Sequence, residues 1–265
     1  MDIQINDAHK ADCFGSLFQN IKFLTDCINI SFTEERMYIQ AMDSSRVSIF
    51  EIFIPSTWFD VYTKTGPTNT TIGINAGILY RILGSRDKSQ SIQMVYNQPD
   101  EDDGDDKLFV HMRGDTKNVF DKNFEVPLFE LEMETLEIPV FEYQAELSLS
   151  SANFASIVNQ LKMFGDTMDI ECSEDKIQLC ATSIDQGKMY VDIEIDDLST
   201  FAIDENEKLS MSFSLRYLHT ICMYNKLAKD IEIKLSQDLP IRIDYDLGDG
   251  ASVRFFLAPK IREDD

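Results

Sequence analysis

The chain has 265 residues, 24 Lys+Arg against 47 Asp+Glu, a formal charge of −23 and 43% hydrophobic residues. That length exceeds the usual size of one domain, so one large or two medium domains with a sizeable core are expected and pervasive disorder is excluded. No apolar run approaches the roughly 20 residues a membrane helix needs, and the first ten residues lack a signal-peptide layout, so a soluble intracellular protein is expected.

Taken in chain order, the first periodic segment is Phe14, Leu17, Phe18, Ile21 and Leu24, whose three- and four-residue spacing predicts an amphipathic helix. Alternating runs over 37–41 and 47–53 predict half-buried antiparallel strands. Trp58, the single tryptophan, is expected in a core or at an edge. A second helix is predicted over 74–83 and another strand over 91–96. The acidic stretch 97–106 invites a calcium reading, but the position eleven beyond Asp100 is His111 rather than a bidentate Glu, so a solvated hairpin tip is expected. Residues 127–143, PLFELEMETLEIPVFEY, alternate acidic with large apolar side chains and predict an extended surface connector. Beyond it, Phe154, Ile157, Val158, Leu161 and Phe164 predict a third helix, 213–227 a fourth, and 189–195, 231–235 and 241–245 further strands.

The order repeats. At an offset of 140, Phe14 pairs with Phe154, Leu17 with Ile157, Ile21 with Leu161, Lys22 with Lys162, Ile30 with Ile170 and Ala41 with Ala181. At an offset of 139, Ile74 pairs with Phe213, Leu79 with Leu218, Ile82 with Ile221 and Met94 with Ile233. Two tandem copies of one α+β fold are expected, each with two helices packed on antiparallel sheets. The domain boundaries follow as 1–127 and 143–265, with a connector over 128–142.

A net charge of −23 argues against nucleic acid until the charges are placed. The segments 13–25, 72–86, 148–165 and 209–229 contain no Asp or Glu, where an even spread would put about a dozen. They hold Lys22, Arg81, Arg86, Lys162, Arg216, Lys226 and Lys229, so one helical surface is positive inside an acidic protein. Such a face suits contact with phosphates without reading bases, which is weak, sequence-independent and salt-sensitive.

Little in the chain points to chemistry. Cys13, Cys27, Cys172, Cys180 and Cys222 form no CxxC pair and no zinc spacing, so they are expected to pack as small apolar residues in a reducing compartment. His9, His111 and His219 lie far apart, there is no nucleophile elbow, and neither GxxxxGK followed by Ser or Thr nor GxGxxG occurs. No catalytic residue, metal or cofactor is expected.

Three separated strings carry a family resemblance. Leu257-Ala258-Pro259-Lys260-Ile261 closes a C-terminal half that resembles the proliferating cell nuclear antigen family of DNA sliding clamps. Gln40-Ala41-Met42-Asp43-Ser44-Ser45-Arg46-Val47-Ser48 is similar to that family's QxMDSSxVS segment, and Leu136-Glu137-Ile138-Pro139 stands where it has LGIP. The resemblance implies the DNA-clamp fold, with three two-domain subunits closing into a ring that is lined by helices and faced by strands. It implies no catalysis. An encircled duplex cannot leave sideways, and tethered enzymes gain effective concentration.

The resemblance also implies partners and sites. Lys22, Arg81, Arg86, Lys88, Lys162, Arg216, Lys226 and Lys229 would face double-stranded DNA. A pocket walled by Met42, Val47, Leu136, Ile138, Pro240, Phe256, Leu257, Ala258 and Pro259 would take QxxhxxFF-type peptides of DNA polymerase and other enzymes. A homotrimer would close through Val119, Phe124 and Val126 of one subunit against Met189, Tyr190 and Val191 of the next, with a clamp loader opening it. The expected location is the nucleus, or a viral replication compartment for a viral member.

The chain departs from the family in places. Gly15, Ser16, Ser156 and Asn159 stand where many members carry Lys or Arg, Glu174 replaces the ubiquitin-acceptor lysine, and Phe256 replaces a tyrosine. Fewer channel cations also fit a subunit of a heterotrimeric checkpoint-type clamp. A third reading, a carboxylate- and metal-dependent nuclease, would need a metal cluster that the sequence does not display.

Overall fold

A computed structural model describes residues 1–66, 68–97, 106–114, 116–131 and 135–261. Most of the acidic stretch 97–106, with its calcium and hairpin-tip readings, therefore lies outside the described residues.

The chain divides into two compact units. The first comprises Met1–Ser44, Glu51–Leu136 and Leu247–Ser252, the second Ser45–Phe50, Glu137–Asp246 and Val253–Asp265. A short stretch of each half is thus exchanged into the other's unit.

Along the first half run β1 (Asp2–Ile5), α1 (Ala8–Ile21), β2 (Cys27–Phe32), β3 (Arg36–Met42), β4 (Ser48–Pro55), β5 (Val61–Thr63), β6 (Thr70–Asn75), α2 (Ala76–Leu83), β7 (Ser91–Tyr96), β8 (Lys107–Arg113) and β9 (Lys122–Pro127). Antiparallel pairing gives the orders β5-β1-β7-β8-β9 and β4-β3-β2-β6. The second half carries β10 (Ala145–Ser150), α3 (Ser151–Leu161), β11 (Thr167–Cys172), β12 (Lys176–Ser183), β13 (Gly187–Glu194), β14 (Thr200–Ile203), β15 (Leu209–Ser214), α4 (Leu215–Cys222), β16 (Asp230–Leu235), β17 (Ile241–Gly248) and β18 (Ala251–Leu257). Its orders are β14-β10-β16-β17-β18 and β13-β12-β11-β15, the same topology with every strand number raised by nine. The predicted repeat is therefore structural: β2 and β11 begin 140 residues apart, and α2 and α4 begin 139 apart.

Local sequence explains each element. In α1 the Asp7 side chain accepts the Lys10 N–H at 2.8 Å, satisfying one of the free donors of the first turn. Ala11, Phe14, Leu17, Phe18 and Ile21 then bury one stripe. Alternate residues of β2, Ile28, Ile30 and Phe32, are fully buried while their neighbours are half exposed, the pleat of a one-sided sheet. Phe14, Phe18, Trp58 and Phe59 form an aromatic core in the first unit, with the Phe14–Phe18 centroids 5.1 Å apart. In the second unit Tyr224, Tyr245 and Phe255 play that part, and the buried Tyr245 hydroxyl donates to the Ile221 carbonyl at 3.0 Å.

Helix boundaries correct the sequence reading. The second helix of each copy covers only Ala76–Leu83 and Leu215–Cys222, not 74–83 and 213–227. Ile72 with Ile74, and Met211 with Phe213, alternate as buried strand residues, and Asn75 caps α2 by accepting the Ile78 N–H at 2.9 Å. The first helix starts at Ala8, before the predicted segment, and so includes Asp12. The absence of carboxylates holds for α2, α3 and α4 but not for α1.

One further parallel links the copies. After β9 the chain turns onto the edge strand β6, where the Phe129 N–H donates to the Gly73 carbonyl at 3.1 Å. After β18 the Lys260 N–H donates to the Ser212 carbonyl of edge strand β15 at 2.7 Å. Gly73 and Ser212 are 139 residues apart, so each copy covers the same edge with the segment that leaves its last strand.

Candidate nucleic-acid and partner surfaces

The predicted cations fall into two groups. Lys22, Arg81 and Lys88 of the first unit, and Lys162, Arg216, Lys226 and Lys229 of the second, are exposed. Lys22 and Lys162 are the C-caps of α1 and α3, so the helix dipole favours their charge there. The Lys22 ammonium lies 4.3 Å from the centroid of the Tyr80 ring and 5.1 Å from that of Phe23. Lys226 and Lys229 follow α4 on a turn pinned by Ser151, whose hydroxyl lies 2.9 Å from the Asn225 carbonyl and whose N–H donates to the Lys229 carbonyl at 2.9 Å. His219, on α4, has its pKa pushed below the ordinary 6.5 by partial burial first and by the Lys162 charge second.

Arg86 differs from the rest. Its side chain is only 5% exposed, donates to the Gln90 carbonyl at 2.7 Å and the Lys88 carbonyl at 3.1 Å, and pairs with Asp12. Its charge is neutralised within the unit, and it ties the segment after α2 to α1. Lys10, which precedes the predicted helical segment, is likewise engaged by the Trp58 carbonyl at 2.9 Å and Asp249 at 2.7 Å.

The two strands expected to join subunits are terminal in their sheets, β9 beside β8 and β13 beside β12. On and before β9, Val126 is 1% exposed and points into the core, so it has no surface to offer a partner, while Phe124 and Val119 are half-buried. Phe120, which sequence reasoning missed, is 78% exposed. On β13, Met189 and Val191 are half-buried and Tyr190 is 60% exposed. Across this strand Gln178 donates to Asp192 at 2.7 Å, and that hydrogen bond, ahead of Lys176, holds the Asp192 carboxyl below its usual pKa.

The expected pocket walls are divided between the units. In the first, Gln40 clamps the connector at Leu136, donating to its carbonyl at 2.9 Å and accepting its N–H at 2.7 Å. That clamp leaves the Leu136 side chain 42% exposed, and Met42 is half-buried two residues beyond Gln40. In the second unit the Ala258 N–H donates to the Val47 carbonyl at 3.0 Å. There Ala258 is exposed, and Val47, Ile138, Pro240 and Pro259 are half-buried. Phe256 is 7% exposed and Leu257 is fully enclosed, so of the two only Phe256 presents any side-chain surface.

The thiols are suited to packing rather than attack. Burial pushes Cys13 and Cys172 up to about 11 and Cys222 to about 12, which keeps them protonated and poorly nucleophilic near neutral pH. Among the described residues no group of three or more His, Cys, Asp or Glu is placed to hold a metal. Among the described residues no helix is long and apolar enough to cross a membrane.

Comparison with known families supplies the frame for these surfaces. The family model described as proliferating cell nuclear antigen, N-terminal domain, matches residues 6–135, and the one described as proliferating cell nuclear antigen, C-terminal domain, matches residues 137–260.

Proposed function

The chain belongs to the proliferating cell nuclear antigen family of non-enzymatic DNA sliding clamps, and from that premise we propose that it closes on itself as a homotrimer around duplex DNA. It then serves as a processivity factor for a DNA polymerase, acting in the nucleus or in a viral replication compartment. Residues 128–142 are the connector between domains 1–127 and 143–265.

The observation that carries the reading is the state of the edge strands. The edges of β6 and β15 are each covered by the segment that follows their copy's last strand, and β5 and β14 are only three and four residues long. Among the described residues β9 and β13, six and eight residues long, have one strand neighbour each and carry apolar side chains at and beside the edge. Exposed edges of that length invite pairing, and head-to-tail pairing of β9 with β13 closes a ring that removes them. Phe124 and Val119 with Met189, Tyr190 and Val191 form the contact, with Phe120 added and Val126 supporting from the core.

Lys22, Arg81, Lys88, Lys162, Arg216, Lys226 and Lys229 supply the phosphate contacts, and Arg86 holds the scaffold beneath them. Leu136 and Ile138, with Met42, Val47, Pro240, Phe256, Ala258 and Pro259, receive the aromatic plugs of a QxxhxxFF-type peptide, the kind of apolar anchor that dominates interface energy. A clamp loader opens the ring.

Light scattering after size exclusion over a dilution series tests the assembly. A mass of about three times 30.4 kDa is expected, and it falls toward the monomer when Phe124 and Tyr190 are replaced by Asp. The scarcity of cations on α1 and α3, where Ser16, Ser156 and Asn159 stand, favours a second reading as one subunit of a heterotrimeric clamp. A mass of 30.4 kDa at every concentration would select it.

A further inference from the structure

We propose that Phe23 and Met163 form, with the lysines beside them, an apolar contact to the sugar faces of duplex DNA, deepening the DNA-binding reading on which it rests.

Phe23 follows the C-cap of α1 and Met163 that of α3, one repeat of 140 residues apart. Their local geometry is the same: the Phe23 N–H donates to the Asn20 carbonyl and the Met163 N–H to the Gln160 carbonyl, both at 3.0 Å. Both side chains stay in solvent, at 55% and 61% exposure, while Leu24, next in the chain, turns back into the core at 5%. Neighbouring exposed positions on these helices, Gln19, Ser156, Asn159 and Gln160, are polar, so solvent alone does not account for a large apolar residue at this place in both copies.

Each of the two has a cation at hand. Lys22 precedes Phe23 with its ammonium 5.1 Å from the ring centroid, and Lys162 precedes Met163. Arg81 lies on α2, which packs against α1, and Arg216 and His219 lie on α4, which packs against α3; neither α2 nor α4 carries a carboxylate. In a chain of net charge −23 this local cationic combination is complementary to a polyanion. A nucleic-acid strand presents phosphate oxygens alternating with apolar sugar faces. An ammonium next to an exposed ring or thioether matches that alternation, with Lys on phosphate and Phe or Met against the sugars and the minor-groove wall. Sugars are alike at every nucleotide, so the contact adds hold without sequence preference. It also releases no counterions.

That last property defines the test. Binding of the full-length chain to a short fluorescent duplex is followed by anisotropy across a salt series, for the wild type, for the Phe23→Ser/Met163→Ser double variant and for Lys22→Gln/Lys162→Gln. The apolar variant is expected to bind about tenfold more weakly at every salt with the slope of log K against log salt unchanged. The lysine variant is expected to flatten that slope by about 0.9 for each phosphate it no longer neutralises. Both apolar positions are exposed, so equal melting temperatures check that folding is intact. Wild-type affinity retained by the apolar variant, or a flattened slope in it, overturns the inference and leaves the cationic surface standing. A wild type without salt-dependent binding overturns the DNA-binding reading itself, and this apolar contact with it.

Discussion

Replacing Gly73 by Ala isolates how the connector is held. A Cβ at this position would lie 2.2 Å from the Phe129 carbonyl oxygen and 3.2 Å from Leu131 Cγ. Carbon and oxygen need at least about 3 Å, so the connector backbone must withdraw by roughly an ångström. The withdrawal has somewhere to go, because Gly73, Phe129, Leu131, Asn29 and Tyr96 line an open cleft of about 620 Å3. Two hydrogen bonds are strained by it: Phe129 N–H to the Gly73 carbonyl at 3.1 Å, and Asn29 Nδ2 to the Leu131 carbonyl at 3.2 Å. At about 1 kcal/mol each, local opening becomes easier by about 2 kcal/mol. The gain of about 0.4–1 kcal/mol from a less flexible unfolded chain leaves a global loss of only about 1–1.6 kcal/mol. Hydrogen exchange with residue resolution is the assay. The Phe129 amide should exchange about 30-fold faster, while the Lys260 amide, its counterpart in the second copy, keeps its protection. Unchanged protection at Phe129 would refute the claim that the edge of β6 holds the connector.

Two other side chains give independent checks. Arg86→Gln should lower stability by about 2–3 kcal/mol, since it strips carbonyl partners and Asp12 from a largely buried guanidinium, and should leave the salt slope of DNA binding intact. A flattened slope with unchanged melting temperature would instead make Arg86 a DNA contact. His219, with its pKa held below 6.5, contributes stability that is fully present above that value and lost as pH falls through the lower folded pKa, because the unfolded chain takes up the proton first. The wild type should therefore lose stability relative to His219→Gln as pH drops below about 6.5, and parallel pH profiles of the two melting temperatures would count against it.

The repeat, the two-copy α+β fold and the family were legible in the residues because hydrophobic periodicity survives in a linear string, and because one string laid over itself at 140 and 139 shows two copies. Helix limits were not legible in the same way. A buried strand that feeds directly into a helix, as β6 feeds α2 and β15 feeds α4, leaves a continuous apolar run in which both periods fit. The start of α1 was missed because its first turn is polar and exposed, yet Asp7 three residues before Lys10 was a capping signal in plain view.

Charge placement shows the same division at the level of the site. Sequence alone determined that cations gather near the helices of an otherwise acidic chain, since that is a matter of counting along the string. Only the tertiary structure decided which of them are available. Arg86 and Lys22 look alike in sequence, but the fold holds the first between the nearby Gln90 carbonyl and the distant Asp12 and leaves the second exposed at a helix end. Likewise Val126 and Phe120 are both apolar residues near one edge, and the pleat of β9, set by its pairing with β8, turns Val126 into the core while Phe120, before the strand begins, stays in solvent. Composition and period are local properties and can be read from neighbours in the chain. Exposure is fixed by what the fold brings alongside, as when Asp12 meets Arg86 from 74 residues away in the chain.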